Sequence, residues 1–324
     1  MTTLVTGAAG FIGYHVARKL AERGARVIGV DNLNAFYGTE LKRRRLVQLS
    51  TFPNFTFHRL DLADRGALSE ALGSEVVQTV IHLAAQANVR YALENPQAYV
   101  ASNVAGHLNV LEHCRHSGGF EKLVYASSSS VYGAQNETPF REDAITDRPT
   151  SLYAATKKSQ EMMSEVYADI FGIPQIGLRF FSVYGPWGRP DMAYWLFTDA
   201  ILKGRPIRVF NNGEMHRDFT YIDDVVQGVL AAADAPPAGG SDIHRVYNVG
   251  SSRPVLLMDM IAILESILRK RAEIEMLPMQ PGEIPVTYAD ITTFADDFGF
   301  RPRVSLEEGL KRFVEWYRRY QQMR

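Results

Sequence analysis

The chain has 324 residues, 46% of them hydrophobic, and its 35 basic and 36 acidic residues give a net charge of -1. This length can bury the core of one or two domains, and the balanced charge excludes a general attraction to nucleic acid or anionic membranes. The single cysteine, Cys114, excludes an internal disulfide and fits a reducing compartment. No signal-like segment or membrane-length apolar run is found, so we expect a cytoplasmic protein.

Short β-branched runs alternate with stretches of helical period in the first half of the chain, which predicts parallel strands joined by crossover helices. After the first strand, Ile12, Val16 and Leu20 share one helical face, and Gly24 follows as a helix stop. The predicted fold class is therefore α/β with a doubly wound parallel sheet. The six predicted strands are 3–6, 26–30, 55–59, 79–83, 122–126 and 175–179.

The alternation changes beyond about residue 180, where "YGPWGRPD" and "APPAGGSD" separate helical runs at 192–203 and 256–271. The segment "SLEEGLKRFVEWYRRY" predicts a final amphipathic helix. We expect a first domain at 1–180, with part of 217–250 packing back on it, and a smaller lobe at 181–324.

The stretch "VTGAAGFIG" places Gly7, Gly10 and Gly13 at a strand-to-helix junction. Small residues there allow a tight turn whose backbone N–H groups can approach a pyrophosphate. Asp31 ends the second predicted strand, where a carboxylate can bind an adenosine ribose and repel a 2'-phosphate. The pattern therefore predicts a dinucleotide site that favours NAD over NADP.

Other polar or small residues also follow strand ends, the side on which open α/β sheets bind ligands. Asp61 follows the third predicted strand, and Ala84 and Ala85 follow the fourth. Tyr153 and Lys157 in "SLYAATKKS" are four residues apart, on one helical face. An ammonium beside a phenol favours the phenolate, so we expect Lys157 to lower the pKa of Tyr153 toward that of a general base.

The motifs "TGAAGFIG", "HLAAQ", "SSSSVYG" and "YAATK" together resemble the extended short-chain dehydrogenase/reductase family of nucleotide-sugar epimerases and dehydratases. The resemblance covers essentially the whole chain. It implies a Rossmann-type domain with tightly held NAD, a C-terminal lobe for a UDP-sugar, a homodimer, and a catalytic triad of Ser128, Tyr153 and Lys157. The residues that the resemblance implies at the NAD site are Gly7, Gly10, Phe11, Ile12, Gly13, Asp31, Asn32, Asp61, Leu62, Leu83, Ala84, Ala85, Gln86, Asn103, Tyr153 and Lys157.

The serine run distinguishes branches of this family. Members that eliminate water carry Asp and Glu where this chain has Ser129 and Ser130, and decarboxylating members carry Glu at the position of Ser130. Neutral hydroxyls in place of carboxylates suit a negatively charged sugar, because they remove like-charge repulsion.

Further segments, "RFFSVYGPWGRPDMAYW" and "MHRDFTYIDD", are similar to the branch that epimerises UDP-glucuronate at C4. Gln280 stands where many sugar epimerases have a diphosphate-binding arginine, and the acid-sugar branch is similar in having glutamine there. The similarity implies that the serines hold the sugar carboxylate, with arginines near the sugar and diphosphate. The substrate-side residues are then Arg90, Ser128, Ser129, Ser130, Tyr153, Ser182, Arg189 and Arg217.

The resemblance implies NAD-dependent inversion at C4, from UDP-glucuronate to UDP-galacturonate, through a 4-keto sugar. The alternatives are a UDP-glucuronate decarboxylase, an epimerase for UDP-galactose or a UDP-N-acetylhexosamine, and, more distantly, a nonenzymatic NAD sensor. The histidine and cysteine types in "HCRH" lack a second cluster, so we expect no metal site. "KRRR" at 42–45 is interpreted as a solvated helix face.

Overall fold

The computed structural model describes residues 1–135, 137–280 and 282–322. Strands β1 to β12 are Thr2–Thr6, Arg26–Asp31, Phe55–Arg59, Thr79–His82, Lys122–Ser128, Gln175–Phe180, Ser182–Tyr184, Ile207–Phe210, His216–Tyr221, His244–Val249, Pro254–Leu256 and Ile274–Leu277. Helices α1 to α12 are Phe11–Glu22, Glu40–Leu49, Ala67–Leu72, Tyr91–Glu94, Pro96–Tyr99, Gly106–His116, Leu152–Phe171, Ala193–Leu202, Ile222–Asp234, Leu257–Leu268, Thr292–Phe298 and Leu306–Gln322.

A seven-stranded parallel sheet forms the centre of the molecule, in the order β10-β6-β5-β4-β1-β2-β3. Its central strands are apolar on both faces, as a parallel sheet covered by helices requires. On one face Val5 of β1 and Ile81 of β4 are fully buried, and on the other face Leu4 and Val80 of the same strands are fully buried. The expected α/β class with a Rossmann-type sheet is confirmed.

All six predicted strands are present, and β5 runs on through Ser128. The seventh strand, β10, was not predicted. It pairs only with β6 at the edge of the sheet, and its sequence "HRVYNV" mixes charged and apolar residues. Through β10, part of the segment 217–250 joins the first sheet. The division of the chain near residue 180 stays a prediction.

The C-terminal half adds a three-stranded sheet, β11-β9-β7, and a two-stranded sheet, β12-β8. Helices α8, α10 and α12 pack together beside these small sheets. The ring of Trp187 lies 5.6 Å from Tyr14 of α1 and 5.3 Å from Trp316 of α12. Aromatic packing therefore links the two halves of the chain.

No helix of the described residues is both long enough and apolar enough to cross a bilayer.

Candidate active site

A cavity of about 590 Å³ lies at the carboxyl ends of the parallel strands and is closed by residues of the C-terminal half. Its walls include the glycine turn after β1, the serine run after β5, and side chains from β7, β8 and β9. This is the position at which open α/β sheets bind ligands.

The glycine turn leads directly into α1. Gly7 has a φ of +70° and its carbonyl accepts the N–H of Gly10 at 2.8 Å. A Cβ on Gly13 would lie 2.1 Å from the carbonyl oxygen of Gly7, so the turn can close only over glycine. Because the first turn of α1 contains no acidic residue, its N-terminal dipole can attract a phosphate without competition.

Asp31 lies at the end of β2 with its carboxylate held by the backbone. It accepts the N–H groups of Ala9 at 3.2 Å and Leu33 at 2.8 Å, and the Lys42 ammonium is 3.6 Å away. Both Asp31 and Lys42 line the cavity. The interpretation of residues 42–45 as a solvated face is therefore wrong for Lys42, and also for Arg45, which is fully buried.

The residues that follow β2 and β3 continue the same wall of the cavity. Asn32 donates its side-chain N–H to Asp61 at 2.9 Å, and both residues line the cavity. Asn103, which the sequence placed among the NAD contacts, does not line it. Asn103 lies inside a π-helical turn at Val100–Ala105. Its buried side-chain amide accepts the N–H of Gln86, donates to the carbonyl of Gln86, and donates to the Thr156 hydroxyl at 2.9 Å.

Tyr153 and Lys157 lie in the first turns of α7, which Ser151 caps by accepting the N–H of Ala154 at 3.1 Å. The Ser128 hydroxyl lies beside the Tyr153 phenol. The Lys157 ammonium donates to the carbonyl of Ala126 at 2.8 Å and to the Gln160 side chain at 2.9 Å.

The electrostatics differ from the expectation that Lys157 lowers the pKa of Tyr153. Burial raises the pKa of Tyr153, and the groups that oppose this rise are Ser128 and Arg189. Burial also lowers the pKa of Lys157 to about 7, against the raising effect of Glu161. The reason is that Lys157 is directed at neutral acceptors, so desolvation dominates both groups.

The four serines have different partners. Ser127 donates to the buried carboxylate of Glu161 at 2.6 Å, and thus anchors the run to the core. Ser128 donates to the Ser130 hydroxyl at 3.0 Å and accepts the Ser130 N–H at 3.2 Å. Ser129 and Ser130 begin a 3-10 turn and line the cavity.

Arg189 brings a positive charge to this wall. Two N–H groups of its guanidinium donate to Asp191 at 3.1 and 2.6 Å, and Asn88 donates to the same carboxylate at 2.8 Å. Burial favours neutral Arg189, but Asp191 outweighs this effect and raises its pKa. Arg189 thus remains a cation in a fixed orientation.

A second basic group, formed by Arg90 and Arg217, lies in the cavity wall. Arg90 donates to Glu283 at 2.8 Å, and Arg217 lies 4.0 Å from the same carboxylate. Burial lowers the pKa of Arg217, which Glu283 partly opposes. All three residues line the cavity.

A model of the NAD dependent epimerase/dehydratase family matches residues 3–250. The chain belongs to this family.

Curated relatives and solved structures indicate which members of the family this chain resembles. It is 46% identical to UDP-glucuronate 4-epimerase 2 of Arabidopsis thaliana, over 99% of this chain and 76% of the relative. It is 44% identical to a probable UDP-glucuronate 4-epimerase of Rhizobium meliloti, over 98% and 97% of the two chains. The crystal structure of UDP-glucuronic acid 4-epimerase from Bacillus cereus with UDP-glucuronic acid and NAD is similar at a TM-score of 0.92 and 35% identity, over 99% and 100%.

Apart from Asn103, the residues that the sequence predicted for the site of this epimerase/dehydratase line one cavity. On the cofactor side they are Gly7, Gly10, Phe11, Ile12, Gly13, Asp31, Asn32, Asp61, Leu62, Leu83, Ala84, Ala85, Gln86, Tyr153 and Lys157. On the substrate side they are Arg90, Ser128, Ser129, Ser130, Tyr153, Ser182, Arg189 and Arg217.

Sequence reasoning missed Lys42, Asn88, Asp191 and Glu283, which also line the cavity. Asp191 is two residues after Arg189 in "GRPD", and this spacing could have suggested a local pair. For Lys42 and Asn88 no comparable signal exists, because their partners lie on distant parts of the chain.

Proposed function

We propose that this protein inverts C4 of UDP-glucuronate to give UDP-galacturonate, using NAD and a transient 4-keto sugar. The observation that carries the proposal is the position of Arg189. Its guanidinium lines the same cavity as Tyr153 and the hydroxyls of Ser129, Ser130 and Ser182. The C5 carboxylate of a uronic acid adjoins C4, so an anion site beside the catalytic phenol suits this sugar. The similar relatives named for UDP-glucuronate support the same substrate.

The residues of the glycine turn fit NAD. Gly7, Gly10 and Gly13 leave no side chain where the pyrophosphate would lie, and Asp31 offers a carboxylate to the adenosine ribose. Bound NAD would supply the acceptor, and later the donor, of the C4 hydride, and would add a positive charge that favours the Tyr153 phenolate.

In the proposed mechanism, Tyr153 accepts the proton of the C4 hydroxyl and Ser128 donates a hydrogen bond to the developing carbonyl oxygen. Arg189, Ser129, Ser130 and Ser182 hold the sugar carboxylate. Tyr153 returns its proton after the 4-keto sugar has presented its opposite face, so the reaction releases no net proton.

The UDP end is proposed to bind between the two lobes. Arg217 is a partly buried cation in the cavity wall, and Arg90 contacts the same carboxylate, Glu283. Their shared contact with Glu283 means that a diphosphate would compete with this carboxylate for Arg217. UDP binding provides the energy that holds the substrate while the sugar turns.

The test is incubation of the purified protein with UDP-glucuronate and no added NAD, followed by NMR identification of the product. UDP-galacturonate is the expected product, and Tyr153→Phe should bind UDP and NAD but form none. A UDP-pentose as the main product would assign the decarboxylase instead. Conversion of UDP-glucose or a UDP-N-acetylhexosamine in preference to UDP-glucuronate would assign a neutral-sugar epimerase, and no conversion of any of them would overturn the enzymatic proposal.

We further propose a cytoplasmic homodimer formed through α7. Met162, Val166 and Ile170 recur every four residues on one face of this helix and are 60%, 50% and 67% exposed. The opposite face of α7 carries Tyr153 and Lys157. A second copy of the chain would cover this apolar stripe and thereby brace the catalytic helix.

A further inference from the structure

Arg45 is a fully buried charged side chain outside the proposed chemistry. Its side chain has no exposed surface, and no carboxylate pairs with it among the described ion pairs. Five hydrogen bonds replace that partner: two to the carbonyl of Trp187 at 2.5 and 3.2 Å, and one each to Gly188 O at 2.9 Å, Ala9 O at 2.8 Å and Tyr37 OH at 3.1 Å. A buried guanidinium needs such acceptors, because an unpaired charge is costly inside a protein.

The backbone carbonyls that accept from Arg45 belong to two functional segments. The peptide that contains the Ala9 carbonyl lies in the glycine turn, and the N–H of Ala9 donates to Asp31 at 3.2 Å. Lys42, one turn before Arg45 on α2, is 3.6 Å from the same carboxylate. Helix α2 therefore touches the dinucleotide side of the cavity at two points.

The other acceptors lie in the loop that immediately precedes Arg189. The carbonyl of Pro186 accepts a hydrogen bond from the His15 ring at 2.9 Å. Burial lowers the pKa of His15 to about 3, so this ring is neutral. With Arg45, this contact holds the three consecutive carbonyls 186–188 from the first domain. Trp187 has a φ of +58°, a strained backbone that persists only where its surroundings fix it.

We propose that Arg45 is a positioning residue, which fixes Arg189 relative to the glycine turn and so keeps the sugar carboxylate in place while C4 is oxidised. The inference rests on the proposed function. Arg45 does not line the cavity. It acts through the 187–188 peptides on one side and through Ala9 on the other.

The test compares Arg45→Met and Arg45→Lys with the wild type and with Arg43→Met, which changes an exposed arginine on the same helix. Each protein is assayed for thermal unfolding, NAD content and affinity for UDP alone. Its products and its KM are then measured with UDP-glucuronate. A loosened Arg189 loop should raise KM for UDP-glucuronate about tenfold in Arg45→Met and increase the UDP-pentose share. Affinity for UDP should change by less than about twofold.

Arg45→Lys retains a cation and three donors, so its product distribution should lie between those of the wild type and Arg45→Met. Arg43→Met should behave as the wild type. An unchanged product ratio in folded Arg45→Met, or equal losses of UDP and UDP-glucuronate binding, would overturn the positioning role, as would failure of both Arg45 variants to fold. Absence of conversion by the wild type would instead refute the proposed function.

Discussion

At the scale of single residues, we propose that the hydroxyls of Ser129 and Ser130 have a chemical task beyond binding. A 4-keto uronic acid is a β-keto acid, which loses carbon dioxide most readily when its carboxylate bond stands perpendicular to the carbonyl plane. Hydroxyl donors that hold the carboxylate can disfavour this orientation.

We expect Ser129→Ala and Ser130→Ala each to increase the UDP-pentose share of the product severalfold, with a smaller effect on turnover. Removing a hydrogen bond to a charged group costs roughly 1.5–3 kcal/mol, and the part of this cost that distinguishes the two carboxylate orientations is enough to shift a partition ratio by a few-fold. NMR of the products with UDP-glucuronate measures the ratio. Ser159→Ala, which removes a hydroxyl that donates to the carbonyl of Ala155, is the control. Product ratios equal to those of the wild type in both variants would remove this role.

Lys157 makes the stability of the protein depend on pH. Because burial lowers its pKa to about 7, the folded protein releases this proton well below the pH at which the unfolded chain does. Between pH 7 and about 10 the unfolded state therefore binds one more proton at this site, so the free energy of unfolding rises with pH.

Lys157→Met should lack this contribution. From pH 7.5 to 9, the wild type should gain about 2 kcal/mol more than the variant in its free energy of unfolding. Denaturant unfolding of both proteins at the two pH values measures this difference in unfolding free energy. Groups that titrate alike in both proteins cancel in the comparison. Parallel pH dependences would show that Lys157 keeps an ordinary pKa in the fold.

Residue types with a local motif could be predicted from the sequence: the three glycines, the serine run, Tyr153 and Lys157. Arg45 and Lys42 could not, since a basic run looks the same whether it faces water or carbonyls of distant segments. The direction of the Tyr153 pKa was also inaccessible, because it depends on burial and on where the Lys157 ammonium points.

At the scale of elements, the junction between β1 and α1 can tolerate no side chain at Gly13, in the first turn of α1. We expect Gly13→Ala to weaken NAD binding roughly tenfold, since the added Cβ would lie 2.1 Å from Gly7 O and overpacking of this kind typically costs about 1–3 kcal/mol. The NAD content of the purified protein reports the effect. Gly118→Ala is the control, because a Cβ there meets open space; equal NAD content in the two variants would contradict the assigned turn.

Elements with strong apolar runs were predictable, as the six strands of the first half show. The edge strand β10 was not, because His244 and Arg245 interrupt the apolar pattern that marks a buried strand. Its place in the sheet comes from pairing with β6, which only the folded topology provides.

At the scale of the whole molecule, the stripe on α7 allows a direct test of the dimer. Val166→Glu would place a charge at the centre of the proposed interface, so the protein should have half the wild-type mass by light scattering. Gln48→Glu puts the same carboxylate at an exposed position of α2 and should leave the mass unchanged. A wild type that is already monomeric would refute the dimer.

The route of the chain also limits how the molecule can be divided. Strand β10 returns to the edge of the large sheet after β7, β8 and β9 have been built elsewhere. A fragment that stops near residue 180 would lack β10, which pairs with the outer side of β6. The unpaired edge of β6 would then be prone to self-association. Chimeras that exchange sugar specificity between relatives should therefore transplant 181–243 and 250–324 together while retaining the native 244–249, rather than join two halves at one crossover.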